Sequence, residues 1–593
     1  MSVKTPYILG INGSHGASAA LLKNGELIAC AQEERFTRKK NQPGYPKHAI
    51  KFCLEYAGIT TKNLNGVSLG FKNPTLFIDD LEYTKTVTNS LLSNLKSAIR
   101  KPANFLGGKH PIFHQAYELH KKTPLWGLLA RNQRQFLANQ LRIAPAKIHC
   151  IDHHTSHGFA AYYSNPDLES LIRKKTLVIT LDGAGDGVSS RIFLVENDRW
   201  TTIASTPEKY TLGWLYEYVT QYLGMKPNED EYKVMGLAPY ADKHAAEKVY
   251  LLFKKMMSVE GLSIQSDIPR VSYPAFLEKY LAKTRFDAVA GGIQKLTEEL
   301  TCELVQNACK ETGVSTVILC GGVFMNVKAN MRIAELPDIK KLFVMPSCTD
   351  DSTSIGAAYY GYLEMCRKEK STFSPKPPKT MYLGPQFSKK TIRDELNLFR
   401  KKHPRVQIRQ LKSPAEEIAQ LLSKGFIVAH FKGRMEYGAR ALGNRSILAD
   451  PRNAGIVKIL NTQIKNRDFW MPFAPTILEE NADEYIINPK HIHSPYMMVA
   501  FHTTEKAKKD IIATLHPYDG TARAQILRSE QNPAFYQIIK AFERATGVGA
   551  LLNTSFNLHG EPIVCTPEDA LHTFSRSGLR YLVLEDHLLT KSL

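Results

Sequence analysis

The fold is decided by the stretch YILGINGSHGASAALLKNGELIACAQ, which occupies residues 7–32. It predicts a buried strand at 7–12, a glycine-rich loop at 13–16, and two further strands at 17–22 and 26–32. Asn24-Gly25 lies between the last two strands, and an Asn-Gly pair between apolar runs is a strong β-hairpin signal. We therefore expect a strand, a loop that carries a polar residue, and a hairpin.

The same plan returns later in the chain. An apolar strand at 177–181 runs into the loop DGAGDG at 182–187, and two more strands flank a turn at Asn197-Asp198. Glycine suits such loops because backbone N–H groups can approach phosphate oxygens when no Cβ lies between them. One loop alone is weak support, since Asp-Gly is common in turns. The repetition, however, resembles an α/β fold of the duplicated actin/hexokinase-like ATPase type, in which paired loops face each other across a phosphate-binding cleft.

A candidate metal site begins in IDHHTSH, residues 151–157. Side chains four residues apart share one face of a helix, so His153 and His157 can direct two imidazoles at one ion. Such a pair alone is more often a polar surface feature. Asp350 supports the metal hypothesis, because it follows a predicted strand at a point where carboxylates line the clefts of α/β folds. Two imidazoles and one carboxylate suit Fe(II), zinc or manganese better than a closed structural zinc site.

A further glycine-rich turn follows the apolar strand at 316–320. Gly321-Gly322 comes directly before a predicted helix, and a nucleotide can lie against the backbone at such a helix N-terminus. A single turn of this kind is a weak signal, but it gains weight after the duplicated loops.

Composition indicates a globular protein with more than one core. The chain has 593 residues, too many for a single hydrophobic core, so two domains are expected. Its first residues show no signal-peptide pattern, and no apolar run approaches the length that spans a membrane. The nine cysteines include no CxxC pair, which favours reduced thiols. We therefore expect a cytoplasmic protein without a membrane partner.

The net charge of +20 does not by itself identify a partner. Basic residues occur in short clusters rather than long tracts, so a solvated basic surface explains them as well as a nucleic-acid site does. Small anions such as ATP and acyl phosphates would be attracted by the same field.

Two domains and a linker follow from the pattern along the chain. We assign residues 1–370 to an N-terminal domain, in which a mostly basic, helical insertion occupies about 72–150. Residues 371–385 include the proline-rich segment SPKPPK and are typical of a linker. Residues 386–593 form the second domain.

Basic residues in short loops of the second domain predict a site for a ligand with several negative oxygens. The run GRMEYGARALGNRS at 433–446 holds three arginines and one acid among small residues, which is unlike a core helix. Later loops add more cations, and polar side chains at the end of a buried strand: Lys465, Arg467, Arg523, Asn553 and Ser555. Each cation alone is more often part of a surface salt bridge, but their number favours an anion site.

Four runs resemble, in the expected order, the NodU/CmcH family of O-carbamoyltransferases: residues 8–40, 231–238, 433–446 and 553–557. The resemblance covers nearly the whole chain except about 72–145. It implies an N-terminal domain like TsaD and a C-terminal domain like YrdC. It further implies that the C-terminal domain makes carbamoyladenylate from carbamoyl phosphate and ATP, with magnesium. The N-terminal domain would then transfer the carbamoyl group to a hydroxyl of a small natural product.

The resemblance also implies roles for particular residues. Carbamoyl phosphate, ATP and the adenylate would be held by Arg440, Lys465, Arg523, Asn553 and Ser555, with Arg467, Gly321 and Gly322 as further nucleotide-binding candidates. Iron, or another divalent metal, would be held by His153, His157 and Asp350, with Asp182 near the ion or its ligands. Cations such as Arg440 and Lys465 would offset phosphate charge in the transition state. His15 is the candidate base for the acceptor hydroxyl, with phosphate binding as an equal alternative.

The sequence departs from the family pattern at two positions. Ala439 stands where the family usually has proline, which should matter little because proline there only restricts the backbone. Met471 stands where the family usually has arginine, so one expected cation of the activation site is absent. Either Arg467 or another residue supplies that charge, or the activation step is weaker in this protein.

Two alternatives to a small-molecule carbamoyltransferase remain at this point. A tRNA threonylcarbamoylation-type enzyme would suit the basic charge, and a nucleotide-binding regulator would suit Met471. Nucleic acid is nevertheless an unlikely partner, because the motifs are those of the small-molecule branch. The acceptor is open among aminoglycosides, cephems, ansamycins, nodulation factors and guanidinium toxins. The oligomeric state is open too, although family members commonly form homodimers.

Overall fold

The computed structural model of the protein describes residues 5–72, 124–465 and 467–591. Its strands are β1 Tyr7–Asn12, β2 Ser18–Lys23, β3 Glu26–Gln32, β4 Gly66–Leu69, β5 Ile148–Cys150, β6 Thr176–Gly185, β7 Val188–Glu196, β8 Arg199–Pro207, β9 Met257–Glu260, β10 Ser263–Ser266, β11 Thr316–Cys320, β12 Lys341–Val344, β13 Val406–Gln410, β14 Val428–Phe431, β15 Arg445–Ala449, β16 Ala474–Leu478, β17 Ile486–Ile487, β18 His502–Thr503, β19 Gln525–Leu527, β20 Ala550–Ser555, β21 Tyr581–Leu584 and β22 His587–Lys591. Its α-helices are Glu34–Thr37, Lys47–Tyr56, Pro124–Leu141, His153–Tyr163, Leu168–Leu171, Leu212–Tyr222, Glu231–Leu237, Lys243–Lys254, Tyr273–Leu281, Phe286–Thr312, Val327–Glu335, Thr353–Glu369, Lys389–Lys402, Pro414–Ser423, Gly455–Ile459, Ala482–Tyr485, Glu505–Asp510, Pro533–Thr546 and Pro567–Arg576.

The first sheet has the order β3-β2-β1-β4-β5. β1 is antiparallel to β2, and β2 to β3, whereas β4 and β5 add to β1 in parallel. Asn24 and Gly25 both have positive φ, at 50° and 77°, as a type I′ hairpin turn requires. The predicted strand, loop and hairpin are therefore confirmed.

The second sheet repeats the first, with the order β8-β7-β6-β11-β12 and the same antiparallel and parallel pairings. Its hairpin turn at Asn197 and Asp198 also has positive φ, at 49° and 60°. β6 extends to Gly185 because Gly185 pairs with Val188, so the first part of the predicted 182–187 loop belongs to a strand. This duplication confirms the predicted α/β, actin/hexokinase-like arrangement.

Two helices lie between the duplicated sheets. Helix Thr353–Glu369 packs on β1, β2 and β4, and helix His153–Tyr163 packs on β6 and β11 and against the first helix. Glycine permits this close approach, since a Cβ on Gly356 would lie 1.8 Å from the Ser156 carbonyl oxygen. The position of the two histidines therefore depends on how closely these helices pack.

An eight-stranded mixed sheet dominates the C-terminal part, in the order β13-β22-β21-β14-β15-β20-β16-β19. Helices Lys389–Lys402 and Pro567–Arg576 contribute buried apolar side chains to one of its hydrophobic clusters. The largest cluster includes side chains of both halves of the chain, such as Leu181 and Leu478. The structure is therefore α/β throughout; the specific likeness of this part to YrdC stays a prediction.

The predicted insertion at 72–150 is corrected at its C-terminal end. Residues 73–123 lie outside the described residues, but β5 is a strand of the first sheet and helix Pro124–Leu141 packs beside that sheet. Phe136, Leu137 and Ile148 are buried with Leu9 in one apolar cluster. Sequence analysis missed them because this region is basic overall, which hid one apolar helical face.

Part of the predicted linker, residues 371–385, packs against the first sheet. Met381 and Leu383 are buried, and Lys376 forms a parallel bridge with Glu26. The domain boundaries themselves stay predictions. None of the described helices is both long and apolar enough to cross a lipid bilayer.

Candidate active site

A single cavity of about 930 Å³ is lined by residues of both halves of the chain. One group of lining residues includes His153, Asp182 and Asp350, and another includes Arg440 and Lys465. A cavity of this size can enclose a nucleotide-sized ligand. The structure therefore brings the predicted metal and anion sites to one space.

The first group forms what we call the metal cluster: His153, His157, Asp182 and Asp350. One ligand atom from each residue lies within 4.8 Å of all the others. The Nε2 atoms of His153 and His157 are 3.1 Å apart. The Asp182 Oδ2 lies 3.1 Å from His153 Nε2 and 3.3 Å from His157 Nε2. Asp350 Oδ1 is 3.5 Å from His153 Nε2. These convergent donors fit a divalent cation.

The electrostatics of the metal cluster also fit a cation. Burial alone would lower the pKa of His153, but Asp350 and Asp182 raise it above its ordinary value. Burial alone would raise the pKa of Asp182, but both histidines lower it well below its usual range. The carboxylates thus favour positive charge at the imidazoles, which a bound cation can supply instead of protons.

Local structure explains how the two histidines are presented. Asp152 caps the helix that begins at His153, because its Oδ1 accepts a hydrogen bond from the Thr155 N–H at 3.0 Å. The Arg191 guanidinium pairs with the same carboxylate. One turn separates His153 from His157, so both rings face the cavity side of the helix.

A contact that sequence analysis missed fixes the His157 ring. Ser352 Oγ donates to the Thr349 carbonyl at 3.0 Å, so it accepts from His157 Nδ1 at 3.1 Å. The Cys320 sulfur is 3.4 Å from the same nitrogen. A proton on Nδ1 leaves the Nε2 lone pair free to face the cluster. The only sequence signal for Ser352 was its place two residues after Asp350.

The Gly321-Gly322 turn contacts Asp182 directly. The Gly322 N–H donates to Asp182 Oδ1 at 3.1 Å, and a Cβ on Gly322 would lie 2.7 Å from that oxygen. Gly321 has φ +102°, a conformation that favours glycine. The turn therefore helps to orient a metal-cluster carboxylate, in addition to lining the cavity. Whether it binds a nucleotide stays a prediction.

His15 lines the cavity in the first glycine-rich loop and is exposed. The neighbouring Ser14 hydroxyl donates to Asp350 Oδ2, and the Asn12 side chain donates to the His15 carbonyl at 3.2 Å. The loop therefore contacts the metal cluster through Ser14, and its imidazole lines the same cavity. This position suits either of the two predicted roles of His15.

The second group forms what we call the cation cluster: Arg440, Lys465, Arg467 and Arg523. Burial, and then repulsion by Arg440 and Arg467, lower the pKa of Arg523 well below its usual range. Burial chiefly lowers the pKa of Arg440 to about 10. Within the described ranges, none of the four forms an ion pair with a carboxylate. Buried positive charge without a carboxylate partner favours an anionic ligand.

Hydrogen bonds orient the polar members of this site. Lys465 Nζ donates to the Ser555 carbonyl and to Asn557 Oδ1, the latter at 2.6 Å. The Asn553 amide nitrogen donates to Thr476 Oγ1 at 3.0 Å. Among the described residues, Asn553 Oδ1, Arg440 Nε and Arg523 Nη1 are buried without a hydrogen-bond partner. These groups remain available to a ligand.

The structure bears on the missing arginine at Met471. Met471 is buried at the cavity wall, next to Gly236. Arg467 lies close enough to lower the pKa values of Lys465, Arg440 and Arg523, and its guanidinium is 5.3 Å from the centre of the Phe473 ring. Arg467 therefore contributes positive charge beside the position where the sequence lacks it.

Distant structural likenesses were found among solved proteins. The HypF structure from T. kodakarensis aligns with a TM-score of 0.32 and 12% identity, covering 63% of this chain and 49% of that one. Component A of the Acidaminococcus fermentans (R)-2-hydroxyglutaryl-CoA dehydratase aligns with a TM-score of 0.33 and 14% identity, covering 61% and 100%.

Sequence relatives are much closer. Nodulation protein NolNO of Sinorhizobium fredii is 30% identical, over 97% of this chain and 79% of its own. A 3'-hydroxymethylcephem-O-carbamoyltransferase of Amycolatopsis lactamdurans is 28% identical, over 61% of this chain and 65% of its own.

Family profiles cover both halves of the chain. The profile of the carbamoyltransferase N-terminus matches residues 7–359, and that of the carbamoyltransferase C-terminus matches residues 419–591. The resemblance noted from the motifs is thus confirmed, and the protein belongs to the carbamoyltransferase family of transferase enzymes.

Proposed function

We propose that this protein is an ATP-dependent O-carbamoyltransferase. The C-terminal domain, residues 386–593, activates carbamate, and the N-terminal domain, residues 1–370, transfers the carbamoyl group to a hydroxyl of a small natural product. The observation that carries the proposal is the single cavity lined by the cation cluster and by His153, Asp182 and Asp350 of the metal cluster. A relative named as a cephem O-carbamoyltransferase supports a small acceptor over tRNA.

Activation takes place at the cation cluster. Water cleaves carbamoyl phosphate into carbamate and inorganic phosphate. An oxygen of the carbamate then attacks the α-phosphorus of ATP, so that pyrophosphate leaves and carbamoyladenylate forms. Arg440, Arg523 and Arg467 offset the phosphate charge, and their low pKa values mean that a bound anion stabilises them strongly. Lys465 is held by Ser555 and Asn557, which orients its ammonium group.

Transfer takes place at the metal cluster. A divalent cation held there by His153, His157, Asp182 and Asp350 would supply a Lewis acid beside the carbamoyl carbonyl and the leaving phosphate. His15 accepts the proton of the acceptor hydroxyl or, in its alternative role, binds phosphate. Ser352 and Gly322 hold His157 and Asp182 in the orientation that this site requires.

Pyrophosphate release and carbamoyladenylate formation test the proposal without any acceptor. The purified protein is given ATP, magnesium, carbamoyl phosphate and Fe(II), and Arg440→Met is compared with Arg528→Met. Arg528 pairs with Glu479 and does not line the cavity. Wild type and Arg528→Met should form the adenylate, and Arg440→Met should lose at least about a hundredfold in rate, as expected for one transition-state charge contact.

A second variant separates the two steps. His153→Ala should still release pyrophosphate but should not carbamoylate any hydroxyl compound that the wild type accepts. Wild-type protein that forms no adenylate under any divalent metal would contradict the proposal, and a nucleotide-binding regulator would then be the better explanation.

A further inference from the structure

The run EERF at residues 33–36 has contacts that the proposed function does not use. Arg35 is only 4% exposed, and its guanidinium lies between the loop that carries Asp350 and the loop that carries Arg440. A buried guanidinium persists only where its donors are satisfied, so its partners indicate what it holds in place.

On one side, Arg35 reaches the loop of the metal cluster through Gln32. Its Nε and Nη2 donate to Gln32 Oε1 at 3.0 and 2.7 Å. The amide of Gln32 in turn donates to Asp351 Oδ2 at 2.7 Å. Asp351 directly follows Asp350, and its Oδ2 also accepts from the Ser347 hydroxyl at 2.6 Å, so the Gln32 amide is one of the groups that orient this loop.

On the other side, Arg35 Nη2 donates to the Gly438 carbonyl at 2.7 Å. Gly438 lies two residues before Arg440 and has φ +106°. A Cβ on Gly438 would lie 3.2 Å from that of Ser347, so the two loops are in direct contact. Tyr437 strengthens the junction, because its hydroxyl donates to the Asp351 carbonyl at 2.7 Å.

Charge and hydrogen bonding make Arg35 hard to replace. Glu34, 3.2 Å from Nη1, compensates the buried charge. Without the guanidinium, the Gln32 and Gly438 oxygens would each lose a charge-assisted hydrogen bond in a buried place. If the Arg440 loop moves when an anion binds, either the Asp350 loop moves with it or the hydrogen bonds of Arg35 break.

We propose that Arg35 is a positioning residue that couples ligand binding at the cation cluster to metal binding at the metal cluster. The inference rests on the proposed function, because it requires both clusters to bind their ligands. An ion at the metal cluster fixes the 349–351 loop and, through Arg35, the 438–440 loop that carries Arg440. The anion then binds to a site that is already ordered, and the coupling is reciprocal.

Arg38 provides a matched control. It also connects the two halves of the chain, since its guanidinium donates to the carbonyls of Ile563 at 2.7 Å and Pro562 at 2.8 Å. Its side-chain partners among the described residues, which also include Asp569, do not belong to either loop that Arg35 connects. Loss of Arg38 removes two hydrogen bonds and an ion pair between the halves, against the one hydrogen bond between them that Arg35 makes, but it leaves the Gln32 and Gly438 contacts intact.

The test measures the affinity for AMP by calorimetry, with the full-length protein either freed of metal by a chelator or saturated with Co²⁺. AMP carries the phosphate that the cation cluster would hold. Wild type and Arg38→Met should bind AMP about fivefold more tightly when Co²⁺ is present, a ratio at the low end of typical couplings. Arg35→Met should bind AMP with the same affinity in both states.

Gln32→Leu is a second variant that interrupts the same chain of contacts, because it removes the hydrogen bonds of Gln32 with Arg35 and Asp351. It should also remove the Co²⁺ effect, and the double variant with Arg35→Met should show no further change, because both act in one chain of contacts. A purely structural role would lower AMP and Co²⁺ affinity without equalising the two AMP affinities.

Three results would overturn the inference. AMP binding by wild type that ignores Co²⁺, or a Co²⁺ effect that persists in Arg35→Met, would refute the coupling alone. A wild-type protein that binds neither AMP nor Co²⁺ would refute the proposed function and the coupling with it.

Discussion

Ser352 orients a side chain of the metal cluster although it is not itself a member of the cluster. Its hydroxyl accepts a hydrogen bond from His157 Nδ1 and donates one to the Thr349 carbonyl. It therefore connects the ring of one predicted metal ligand, His157, to the loop that carries another, Asp350. Contacts of this kind set both the tautomer and the orientation of a ligating histidine.

Ser352→Ala should therefore weaken metal binding without removing a ligand. We expect the affinity for Co²⁺ to fall by roughly 10–100-fold, as is usual when the partner of a ligating histidine is lost. Titration of the visible Co²⁺ spectrum measures the change. Ser156→Ala is the control, since among the described residues the Ser156 hydroxyl bonds only to the Asp152 carbonyl at the start of its own helix. An equal loss in this variant would contradict the assigned role.

At the scale of elements, helix His153–Tyr163 depends on its first turn. Burial alone would raise the pKa of Asp152, but the Thr155 N–H and the Arg191 guanidinium bring it below its ordinary value. The charged carboxylate therefore stabilises the helix start that carries His153.

Asp152→Ala should lower the free energy of unfolding by about 1 kcal/mol at pH 7. A carboxyl with a lowered folded-state pKa stabilises the protein above its unfolded pKa, and this contribution is lost as pH falls through the folded-state value. The difference in the free energy of unfolding between wild type and Asp152→Ala should thus become smaller below roughly pH 4. Urea unfolding of both proteins at pH 7 and at about pH 3 measures this change.

Asp152→Asn is the control for this effect. Asparagine caps helices as well as aspartate does but does not titrate, so most of the stability at pH 7 should remain. A difference between wild type and Asp152→Ala that stayed constant with pH would show that the carboxylate charge contributes nothing.

Local signals predicted the repeated elements well. Asn24-Gly25 and Asn197-Asp198 adopt the positive φ values that hairpin turns need, and these depend only on neighbouring residues. The place of β5 in the first sheet depends on β4, about 80 residues earlier in the chain, so sequence periodicity could not show it.

For the site, the sequence identified side chains of suitable chemistry but not their neighbours. The spacing of His153 and His157 predicted a shared helix face, which the structure has. The contact of Arg35 with Gly438 joins residues 403 apart in the chain, and no local pattern reports such a pair. The roles of the site residues remain predictions.

At the scale of the whole molecule, the cation cluster imposes an energetic cost. Its four members come from three separate segments. Lys465 is buried and the three arginines are half-buried, and partial burial lowers the pKa of each. Like charges in a poorly solvated place destabilise the folded state until an anion binds. Removal of one of these charges should therefore weaken anion binding and raise the stability of the ligand-free protein.

Arg523→Met should raise the stability of the ligand-free protein by roughly 0.5–2 kcal/mol, the range typical of relieving strain at a functional site. ATP should raise the melting temperature of wild type but not of this variant. Thermal unfolding with and without ATP measures both effects. Arg528→Met should behave as wild type; a less stable Arg523→Met protein would contradict the prediction.

The contact at Gly356 affects how mutational scans of this enzyme should be interpreted. A methyl group there would collide with the backbone of the helix that presents both imidazoles. In a library selected for turnover, this chemically inert position would be depleted as severely as the ligand positions. A position can therefore be intolerant to substitution because its backbone lies close to another helix, and not only because its side chain is reactive. Positions found essential in such a scan would include more than the catalytic groups.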